Sequence, residues 1–378
     1  MSEQSPSVML AAGGTGGHLF PAFALAEELA RRGYAVDLAT DMRGDRYGTG
    51  FPARAVYKIP SATLAGRSPL ALARTAATLA RGVGEAWRLL GRVRPAVVIG
   101  FGGYPSFPPL IAARMRRIPT ALHEQNAVLG RANRLLARRV DAVATSFAAT
   151  RFLDGPLAAK ARFTGNPVRD VVIAAAGEPY RVPEAGEPFR LLVFGGSQGA
   201  RILADVVPQA LADLPGPLRR RLEVVQQARD EDLARVVAAY RAAGISATVQ
   251  PFFRDLPRRM AASHLVIGRS GASSVAELTV IGRPSILVPL PHALDNDQLQ
   301  NATRLAESGG AWCIEQKDLS PQRLGAEIAG LAAEPGRLAA AAEAARRAGR
   351  PDAVARLAEL IEGLAGRLRP ESVERPRA

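Results

Sequence analysis

The sequence predicts an α/β protein made of two Rossmann-like domains, each built on a parallel sheet, that face each other across a cleft. Apolar runs of strand length alternate with longer amphipathic stretches, which is the pattern of βαβ units. The chain has 378 residues, more than one hydrophobic core usually organises. Residues 8–29 and 191–211 also share one order of features: a strand, two glycines, a serine or threonine, further glycine and a helix. This internal similarity favours two related domains.

The predicted elements follow the chain in two series, separated by the turn Thr164-Gly165-Asn166-Pro167. The first series has strands at 8–12, 35–40, 96–100 and 120–123, and a helix at 21–32 that Gly33 ends. The second has strands at 191–194, 222–226, 264–267 and 285–288. We therefore expect domains at 1–165 and 166–349, a C-terminal helix at 350–366 and a disordered tail at 367–378. Leu357, Leu360, Ile361 and Leu364 give that helix one apolar face.

The positive charge is concentrated in the first half of the chain. The net charge is +14; residues 1–165 hold 22 Lys/Arg and 10 Asp/Glu, whereas residues 166–378 hold 27 and 25. A basic half points to nucleic acid, acidic lipid headgroups or a phosphorylated substrate as its partner. Liberal use of arginine in a GC-rich genome would explain the choice of Arg over Lys, but not the asymmetry.

Composition also predicts the compartment. Cys313 is the only cysteine, so an intrachain disulfide is impossible and a reducing setting is expected. The apolar run at 8–12 is too short for a signal peptide, and no stretch approaches the roughly 20 apolar residues that span a bilayer. We expect a cytoplasmic protein.

Several strands run into glycines and then a helix, an arrangement that presents backbone N–H groups and the positive end of the helix dipole to a phosphate. An isolated turn of this kind is more often a simple helix start, but four of them on a duplicated scaffold favour a phosphate ligand. None continues into Gly-Lys-Ser/Thr, and Leu19 stands where a dinucleotide fingerprint needs glycine, which disfavours a P-loop and NAD. The four turns are Gly13-Gly14-Thr15-Gly16-Gly17, Gly102-Gly103, Gly195-Gly196-Ser197-Gln198-Gly199 and Gly268-Arg269-Ser270-Gly271.

His18 directly follows the first glycine turn. A histidine at an open strand end can act as a general base, although it can also cap the helix or lie in the core. With only four histidines in the chain, this position favours catalysis.

Together these motifs resemble the MurG family of bacterial transferases, which add N-acetylglucosamine to undecaprenyl-diphospho-muramoylpentapeptide in the last cytoplasmic step of peptidoglycan precursor synthesis. The similarity runs from about residue 8 to about residue 364 and implies the GT-B fold. The motifs that carry it are GGTGGH at 13–18, GFGGYPS at 100–106, HEQNAVLGRANRLLA at 123–137, GNPVR at 165–169, GGSQGA at 195–200 and RSGASSVAEL at 269–278.

The resemblance implies that UDP-N-acetylglucosamine binds mainly to the second domain. Backbone N–H groups at the helix start would take the diphosphate, Glu277 the ribose hydroxyls, Gln298 a sugar hydroxyl and Arg169 the diphosphate. Phe253 stands where the family packs an aliphatic residue on the uracil, so the base is expected to stack there. The implied donor residues are Thr15, Gly16, Gly17, Asn126, Arg169, Ser197, Phe253, Ala272, Ser273, Ser274, Val275, Ala276, Glu277 and Gln298.

The chemistry that the family implies is one inverting displacement by the acceptor's C4 hydroxyl. His18 is the candidate base and Glu124 the alternative, with Tyr104 and His123 on the acceptor side. Asp295-Asn296-Asp297 has the spacing of metal-dependent glycosyltransferases, but the family needs no metal for its chemistry. We therefore interpret these as loop carboxylates and expect neither metal nor cofactor.

A lipid acceptor requires contact with a membrane. On a predicted helix at 70–92, Arg74, Arg81, Arg88 and Arg92 share one face, Leu72, Leu79, Val83 and Leu90 lie opposite, and Trp87 lies beside them. The apolar face alone is better explained by packing of the helix on the sheet. The excess of positive charge in the first half of the chain favours contact with an anionic membrane. We expect a peripheral protein on the cytoplasmic face of the inner membrane, with proteins of cell-wall or division complexes as candidate partners.

Two further classes remain as alternatives. A UDP-N-acetylglucosamine 2-epimerase shares the fold but gives no reason for the basic half or the HEQN stretch. An inactive scaffold would not need His18, Glu277 and all four glycine turns. Nucleic acid is not expected, because the sequence lacks a basic aromatic platform and a recognition helix.

Overall fold

The computed structural model describes residues 6–13, 16–41, 50–63, 68–184, 186–196, 199–291 and 293–366. The predicted tail at 367–378 lies outside these residues. The chain divides into two compact units. Unit 1 comprises Met1–Gln125, Leu129–Pro167 and Asp352–Ala378, and unit 2 comprises Asn126–Val128 and Val168–Pro351.

Unit 1 is built on a seven-stranded parallel sheet of order β3-β2-β1-β4-β5-β6-β7. Its central strands are buried on both faces, as in doubly wound sheets, so they consist of apolar residues such as Val8, Leu10 and Ile99. The strands are β1 Ser7–Ala11, β2 Ala35–Thr40, β3 Ala55–Lys58, β4 Val97–Gly100, β5 Thr120–Glu124, β6 Ala142–Thr145 and β7 Ala161–Phe163. The helices between them are α1 Gly16–Arg31, α2 Pro69–Val93, α3 Phe107–Met115 and α4 Arg131–Ala137.

Helix α1 begins five residues earlier than the predicted start at residue 21. Proline is a common first residue of helices, which suggested that start, but Pro21 lies inside the helix. Because proline has no backbone N–H, the helix lacks only the hydrogen bond from residue 21 to the Gly17 carbonyl, close to the start of the helix. As a result, His18 lies in the first turn of α1.

Helix α2 has clear end signals. The Ser68 hydroxyl accepts a hydrogen bond from the Ala71 N–H at 3.2 Å, and Pro69 occupies the first turn. In the middle of the helix, a Cβ on Gly82 would overlap the Pro60 carbonyl oxygen. Glycine therefore allows α2 to approach the backbone that follows β3.

Unit 2 contains a six-stranded parallel sheet of order β10-β9-β8-β11-β12-β13. Its core is formed by apolar residues of the strands and of the flanking helices, including Val193, Leu211 and Ile267. The strands are β8 Phe189–Phe194, β9 Leu222–Gln227, β10 Ser246–Gln250, β11 Leu265–Gly268, β12 Ser285–Leu287 and β13 Ala311–Cys313. The helices are α5 Asp170–Ala175, α6 Arg201–Ala212, α7 Gly216–Arg219, α8 Asp230–Ala242, α9 Leu256–Ala261, α10 Ala272–Ile281, α11 Asp297–Glu307, α12 Pro321–Ala333 and α13 Pro335–Ala348.

The last helix, α14 Ala353–Gly366, packs on unit 1. Leu357, Ile361 and Leu364 of its predicted apolar face are buried in one cluster with residues of α1 and β1. An ion pair of 2.8 Å between Arg32 and Glu362 joins the residue that follows α1 to α14. The prediction of a two-domain α/β protein with parallel sheets is confirmed.

Within the described parts of the chain, no helix combines the length and the apolar character needed to cross a membrane.

Candidate active site

The carboxyl ends of β1, β4 and β5 meet at one edge of unit 1, because these strands are neighbours in the sheet. Ligands of open α/β sheets bind at this edge. His18 follows β1, Gly102 and Gly103 follow β4, and Gln125 follows β5. Residues of the motifs GGTGGH, GFGGYPS and HEQN therefore lie at the same edge of unit 1. Thr15, predicted to contact the donor, lies outside the described residues; Gly16 is buried and Gly17 half-buried at the start of α1.

A chain of hydrogen bonds runs inward from His18. Its Nδ1 lies 3.0 Å from Oε1 of Gln125, and Nε2 of Gln125 lies 2.9 Å from Nδ1 of His123. The other ring nitrogen of His123, Nε2, lies 3.1 Å from the carbonyl oxygen of Gly165. His18 is thus tied through two buried side chains to the backbone at the start of the GNPVR turn.

His123 forms the buried part of this chain. Its side chain is fully buried and its ring contacts Gln125; its predicted place on the acceptor side stays a prediction. Burial lowers the pKa of His123 to about 4, the hydrogen bond to Gly165 opposes that shift, and the nearby His18 adds to it. His123 is therefore neutral at physiological pH.

We expect the unfolding free energy to fall as the pH drops from about 6.5 towards 4. The pKa of His123 and that of His264 are each lowered to about 4 in the folded protein, mainly by burial. In this window the unfolded chain binds protons that the folded chain rejects, so stability decreases by up to roughly 1.4 kcal/mol per pH unit for each histidine. Urea unfolding at pH 7 and pH 5 measures the slope. His264→Gln should remove about half of it, and an unchanged stability at pH 5 would contradict the expectation.

Glu124 is buried and holds the start of α4. Its Oε2 accepts hydrogen bonds from the Gly130 N–H at 2.8 Å and from Nδ2 of Asn133 at 2.7 Å. These contacts favour a positioning role for Glu124.

Asn133 was not predicted as a site residue, yet it also lies against the turn after β4. A Cβ on Gly102 would be 3.1 Å from Nδ2 of Asn133. Asn133 shares a helix face with Leu136 and Ala137, three and four residues later in α4, and all three are buried. This spacing relative to two apolar residues was the feature of the sequence that indicated an inward-pointing Asn133 side chain.

The turn after β4 brings the backbone close to the His18 ring. Gly102 and Gly103 have φ angles of +90° and +69°, and a Cβ on Gly103 would lie 3.5 Å from Nε2 of His18. Glycine at these positions relieves backbone strain and leaves room beside that nitrogen. Tyr104 is half-buried at the start of the 3-10 turn that follows, near the same edge. The Ser106 hydroxyl, 2.9 Å from both the Ala11 and the Gly102 carbonyl oxygens, joins the first two loops.

In unit 2, the first glycine turn connects β8 to α6. A Cβ on Gly195 would overlap the Ala200 nitrogen, so the tight approach of the turn to the helix start requires glycine. The Gly195 N–H donates to Oε1 of Gln227 at 3.1 Å, which anchors the turn on β9. Ser197, the predicted donor contact of this turn, lies outside the described residues.

The second turn leads into α10, whose first residues were predicted to bind the donor. The run from 272 to 277 starts this helix: Val275 and Glu277 are buried, and Ala272, Ser273, Ser274 and Ala276 are half-buried. The Ser273 hydroxyl is buried without a hydrogen-bond partner in the described structure. Hence the helix start offers backbone N–H groups together with an unsatisfied hydroxyl.

Arg169 and Glu277, both predicted donor contacts, form an ion pair. Nη2 of Arg169 donates to Oε1 of Glu277 at 3.2 Å, and the Glu277 side chain is only 9% exposed. Burial raises the pKa of Glu277, and the charge and hydrogen bond of Arg169 offset only part of that rise. The pair brings a guanidinium and a carboxylate together at the second turn of α10.

Gln298 and Asn301 connect α11 to neighbouring loops of unit 2. Oε1 of Gln298 accepts from the Leu290 N–H at 3.0 Å, and the Gln298 carbonyl accepts from the Ser270 hydroxyl at 2.7 Å. Asn301 is fully buried. Its Oδ1 accepts from the Ala127 N–H at 2.8 Å, and its Nδ2 donates to Oδ1 of Asn126 at 3.0 Å. Asn301 was not predicted; two of its partners, Asn126 and Ala127, lie about 175 residues earlier in the chain, a separation that no local pattern reveals.

Phe253 is only 5% exposed, and the Arg259 guanidinium lies 4.6 Å from its ring centre. Little of this ring is therefore presented for stacking a base. Its neighbour Phe252 is 66% exposed and is the accessible aromatic of the segment.

The Asp-x-Asp segment lies at the start of α11. Asp295 and Asn296 have positive φ angles of 58° and 54°, and the Asp297 carboxylate accepts from the Gln298 N–H at 2.7 Å. In the portion of the chain that the structure describes, no three His, Cys, Asp or Glu side chains are grouped closely enough to hold a metal ion.

Family models match both units. The glycosyltransferase family 28 N-terminal domain matches residues 8–145, and the C-terminal domain of the same family matches residues 190–357. The chain belongs to glycosyltransferase family 28. The predicted class of enzyme, a glycosyltransferase, is thereby confirmed.

Two relatives of this family 28 chain are both named UDP-N-acetylglucosamine--N-acetylmuramyl-(pentapeptide) pyrophosphoryl-undecaprenol N-acetylglucosamine transferase. The protein of Methylobacterium sp. (strain 4-46) is 58% identical over 362 residues, which are 96% of this chain and 97% of the relative. That of Rhodopseudomonas palustris (strain BisB18) is 57% identical over 366 residues, 97% of this chain and 98% of the relative. These similarities confirm the family resemblance found in the motifs.

Solved structures support the fold of the family 28 chain. The crystal structure of Acinetobacter baumannii MurG is 29% identical with a TM-score of 0.77, covering 95% of this chain and 99% of that one. A UDP-N-acetylglucosamine 2-epimerase is 15% identical with a TM-score of 0.66, covering 97% and 99%. At that identity the epimerase shares the fold alone. The predicted GT-B fold is confirmed.

Proposed function

We propose that this glycosyltransferase moves N-acetylglucosamine from UDP-N-acetylglucosamine to the C4 hydroxyl of undecaprenyl-diphospho-N-acetylmuramoylpentapeptide. The relatives that are 57–58% identical carry a name that states this donor and acceptor. The observation that carries the proposal is the His18 ring, held through its Nδ1 at the ligand-binding edge of unit 1.

The donor subsite that we propose lies on unit 2. The backbone N–H groups at the start of α10 and the Arg169 guanidinium would bind the diphosphate, and the Glu277 carboxylate would accept from the ribose hydroxyls. These assignments are supported by the ion pair of 3.2 Å between Arg169 and Glu277, which places opposite charges at the second turn of α10. Ser197, Gln298, Asn126 and Phe253, with Thr15, Gly16 and Gly17 of unit 1, complete the proposed set of donor contacts.

The acceptor subsite that we propose lies on unit 1, with His18 as the general base. The C4 hydroxyl gives its proton to His18, its oxygen attacks the anomeric carbon, and the bond from that carbon to UDP breaks with inversion. UDP leaves with the electron pair, and the positive helix end and Arg169 stabilise its charge. Tyr104 would line the acceptor, while Glu124 and His123 position the loop and Gln125.

A transfer assay tests this function. We expect labelled UDP-N-acetylglucosamine and a short-chain lipid-linked muramoylpentapeptide to yield a labelled disaccharide product and UDP, unaffected by a chelator. Release of the 2-epimer of the sugar instead of transfer would identify an epimerase.

We further propose that the protein is peripheral to the cytoplasmic face of the inner membrane and contacts it through α2 and the end of α3. Leu70, Leu72, Trp87 and Met115 are large apolar side chains exposed there. The Arg116 guanidinium stacks 3.9 Å from the Trp87 ring centre. Exposed apolar side chains together with exposed arginines on the same helix match the chemistry of an anionic lipid surface. Arg74, Arg81, Arg88 and Arg92 of α2 are all exposed.

Vesicle sedimentation measures this contact. Replacing Arg81, Arg88 and Arg92 with serine should weaken binding to anionic vesicles by about 100-fold, because each arginine contributes roughly 1 kcal/mol near such a surface. Neutral vesicles should show no comparable change. The matched control replaces the exposed Arg241, Arg323 and Arg347 of unit 2. Equal losses in the two triple variants would show that net charge, and not this surface, determines binding.

A further inference from the structure

We infer that Gln125 is a positioning residue that imposes one tautomer on His18, so that Nε2 is the nitrogen that gains and loses the proton. The inference rests on the proposed role of His18 as the base and deepens it.

Two backbone carbonyls, which can only accept hydrogen bonds, determine where the protons of this network lie. The Gly165 carbonyl oxygen lies 3.1 Å from Nε2 of His123, so that nitrogen must carry hydrogen. A neutral His123 then has its lone pair on Nδ1. Nδ1 of His123 therefore has to accept a hydrogen bond.

The second carbonyl determines the orientation of the Gln125 amide. Its Nε2 lies 3.0 Å from the His123 carbonyl oxygen and 2.9 Å from Nδ1 of His123. Both are acceptors, so the NH₂ group must point to His123 and the amide oxygen to His18. Gln125 is only 1% exposed, so the amide turns over only by giving up both bonds in a buried site.

The amide oxygen in turn determines the His18 tautomer. It lies 3.0 Å from Nδ1 of His18 and can only accept, so Nδ1 carries the hydrogen. Nε2 then holds the lone pair of the neutral ring, and this is the nitrogen beside Gly103. Because Gln125 carries no charge, it orients the ring without adding the electrostatic stabilisation of imidazolium that a carboxylate would supply.

Nitrogen NMR of histidine-labelled protein reads the tautomer without turnover. We expect Nδ1 of His18 to be protonated and Nε2 to be of the pyridine type, with the signals assigned by their loss in His18→Asn. Gln125→Met removes both polar ends and should give a mixture of tautomers, with kcat lowered roughly 10- to 100-fold and the KM for UDP-N-acetylglucosamine nearly unchanged. Gln125→Glu keeps an acceptor for His18 and should restore the Nδ1–H signal.

Urea unfolding of each variant establishes that it is folded, and Gln209→Met makes the same exchange at an exposed position of α6. Wild-type kcat in a folded Gln125→Met variant, or Nε2–H on His18 of the wild type, would overturn the inference. If the enzyme transfers the sugar while His18 carries its proton on Nε2, the inference about Gln125 is wrong and the proposed function stands. The expected tautomer without any transfer contradicts the proposed function.

Discussion

Replacing His18 with alanine is expected to lower kcat for sugar transfer by about 10²- to 10⁴-fold, the usual contribution of a general base. The KM for UDP-N-acetylglucosamine should change much less, because the proposed donor contacts lie mainly on unit 2. Steady-state kinetics with a soluble acceptor analogue measures both constants. Alanine also removes the bond to Gln125, so a second variant is needed to separate proton removal from loop positioning.

His18→Asn provides that separation. Its side-chain NH₂ can replace the Nδ1–H donor to Oε1 of Gln125, a contact of 3.0 Å in the native protein, but it offers no basic nitrogen. We expect the asparagine variant to be as slow as the alanine variant. Recovery of most of the native rate by asparagine would show that His18 orients the loop and that another group removes the proton.

The second large effect is expected at Glu277. Glu277→Gln should raise the KM for UDP-N-acetylglucosamine by roughly 10- to 100-fold, because a hydrogen bond to a charged group contributes about 1.5–3 kcal/mol and the amide is neutral. The amide oxygen can still accept from Arg169, so the packing around the pair should survive. The control is Glu223→Gln in the exposed pair with Arg190, whose two side chains are about half exposed; its KM should not change.

A 2′-deoxyribose donor tests the same role of Glu277 through the ligand. The wild type should bind the deoxy analogue more weakly than UDP-N-acetylglucosamine, and Glu277→Gln should discriminate much less between them. If the variant still discriminated between the two donors as well as the wild type does, the carboxylate would not bind the ribose and its function would be limited to pairing with Arg169.

The parallel sheets and the placement of the glycine turns were predictable from the sequence, because buried central strands and helix starts depend on local patterns. His18 and Gly102-Gly103 each follow an apolar run, and β1 and β4 place them at one edge. Strand β3 was not predicted: it lies at the sheet edge, and its alternating exposure leaves no apolar run to recognise. The same holds for β10, which is largely exposed. The short strands β6, β7 and β13 were not predicted either.

The roles of individual polar side chains were less predictable, since burial depends on partners far along the chain. His123 is buried where the Gly165 carbonyl, 42 residues later, accepts from its ring. Nothing in the HEQN motif itself separates such a supporting histidine from one that contacts substrate. Asn301 likewise joins α11 to the Asn126 segment through contacts that the sequence does not display. The motifs carried the family resemblance, and the structure adds which of their described residues are buried.

The anomeric configuration of the product tests the central claim most directly. UDP-N-acetylglucosamine carries the sugar with an α linkage, so one displacement at the anomeric carbon must give a β-linked disaccharide. We would run the transfer reaction with the lipid-linked muramoylpentapeptide analogue and determine the linkage by proton NMR of the isolated product. A β linkage is the predicted result. An α-linked product, or recovery of free epimerised sugar in place of a disaccharide, would contradict a single displacement assisted by His18.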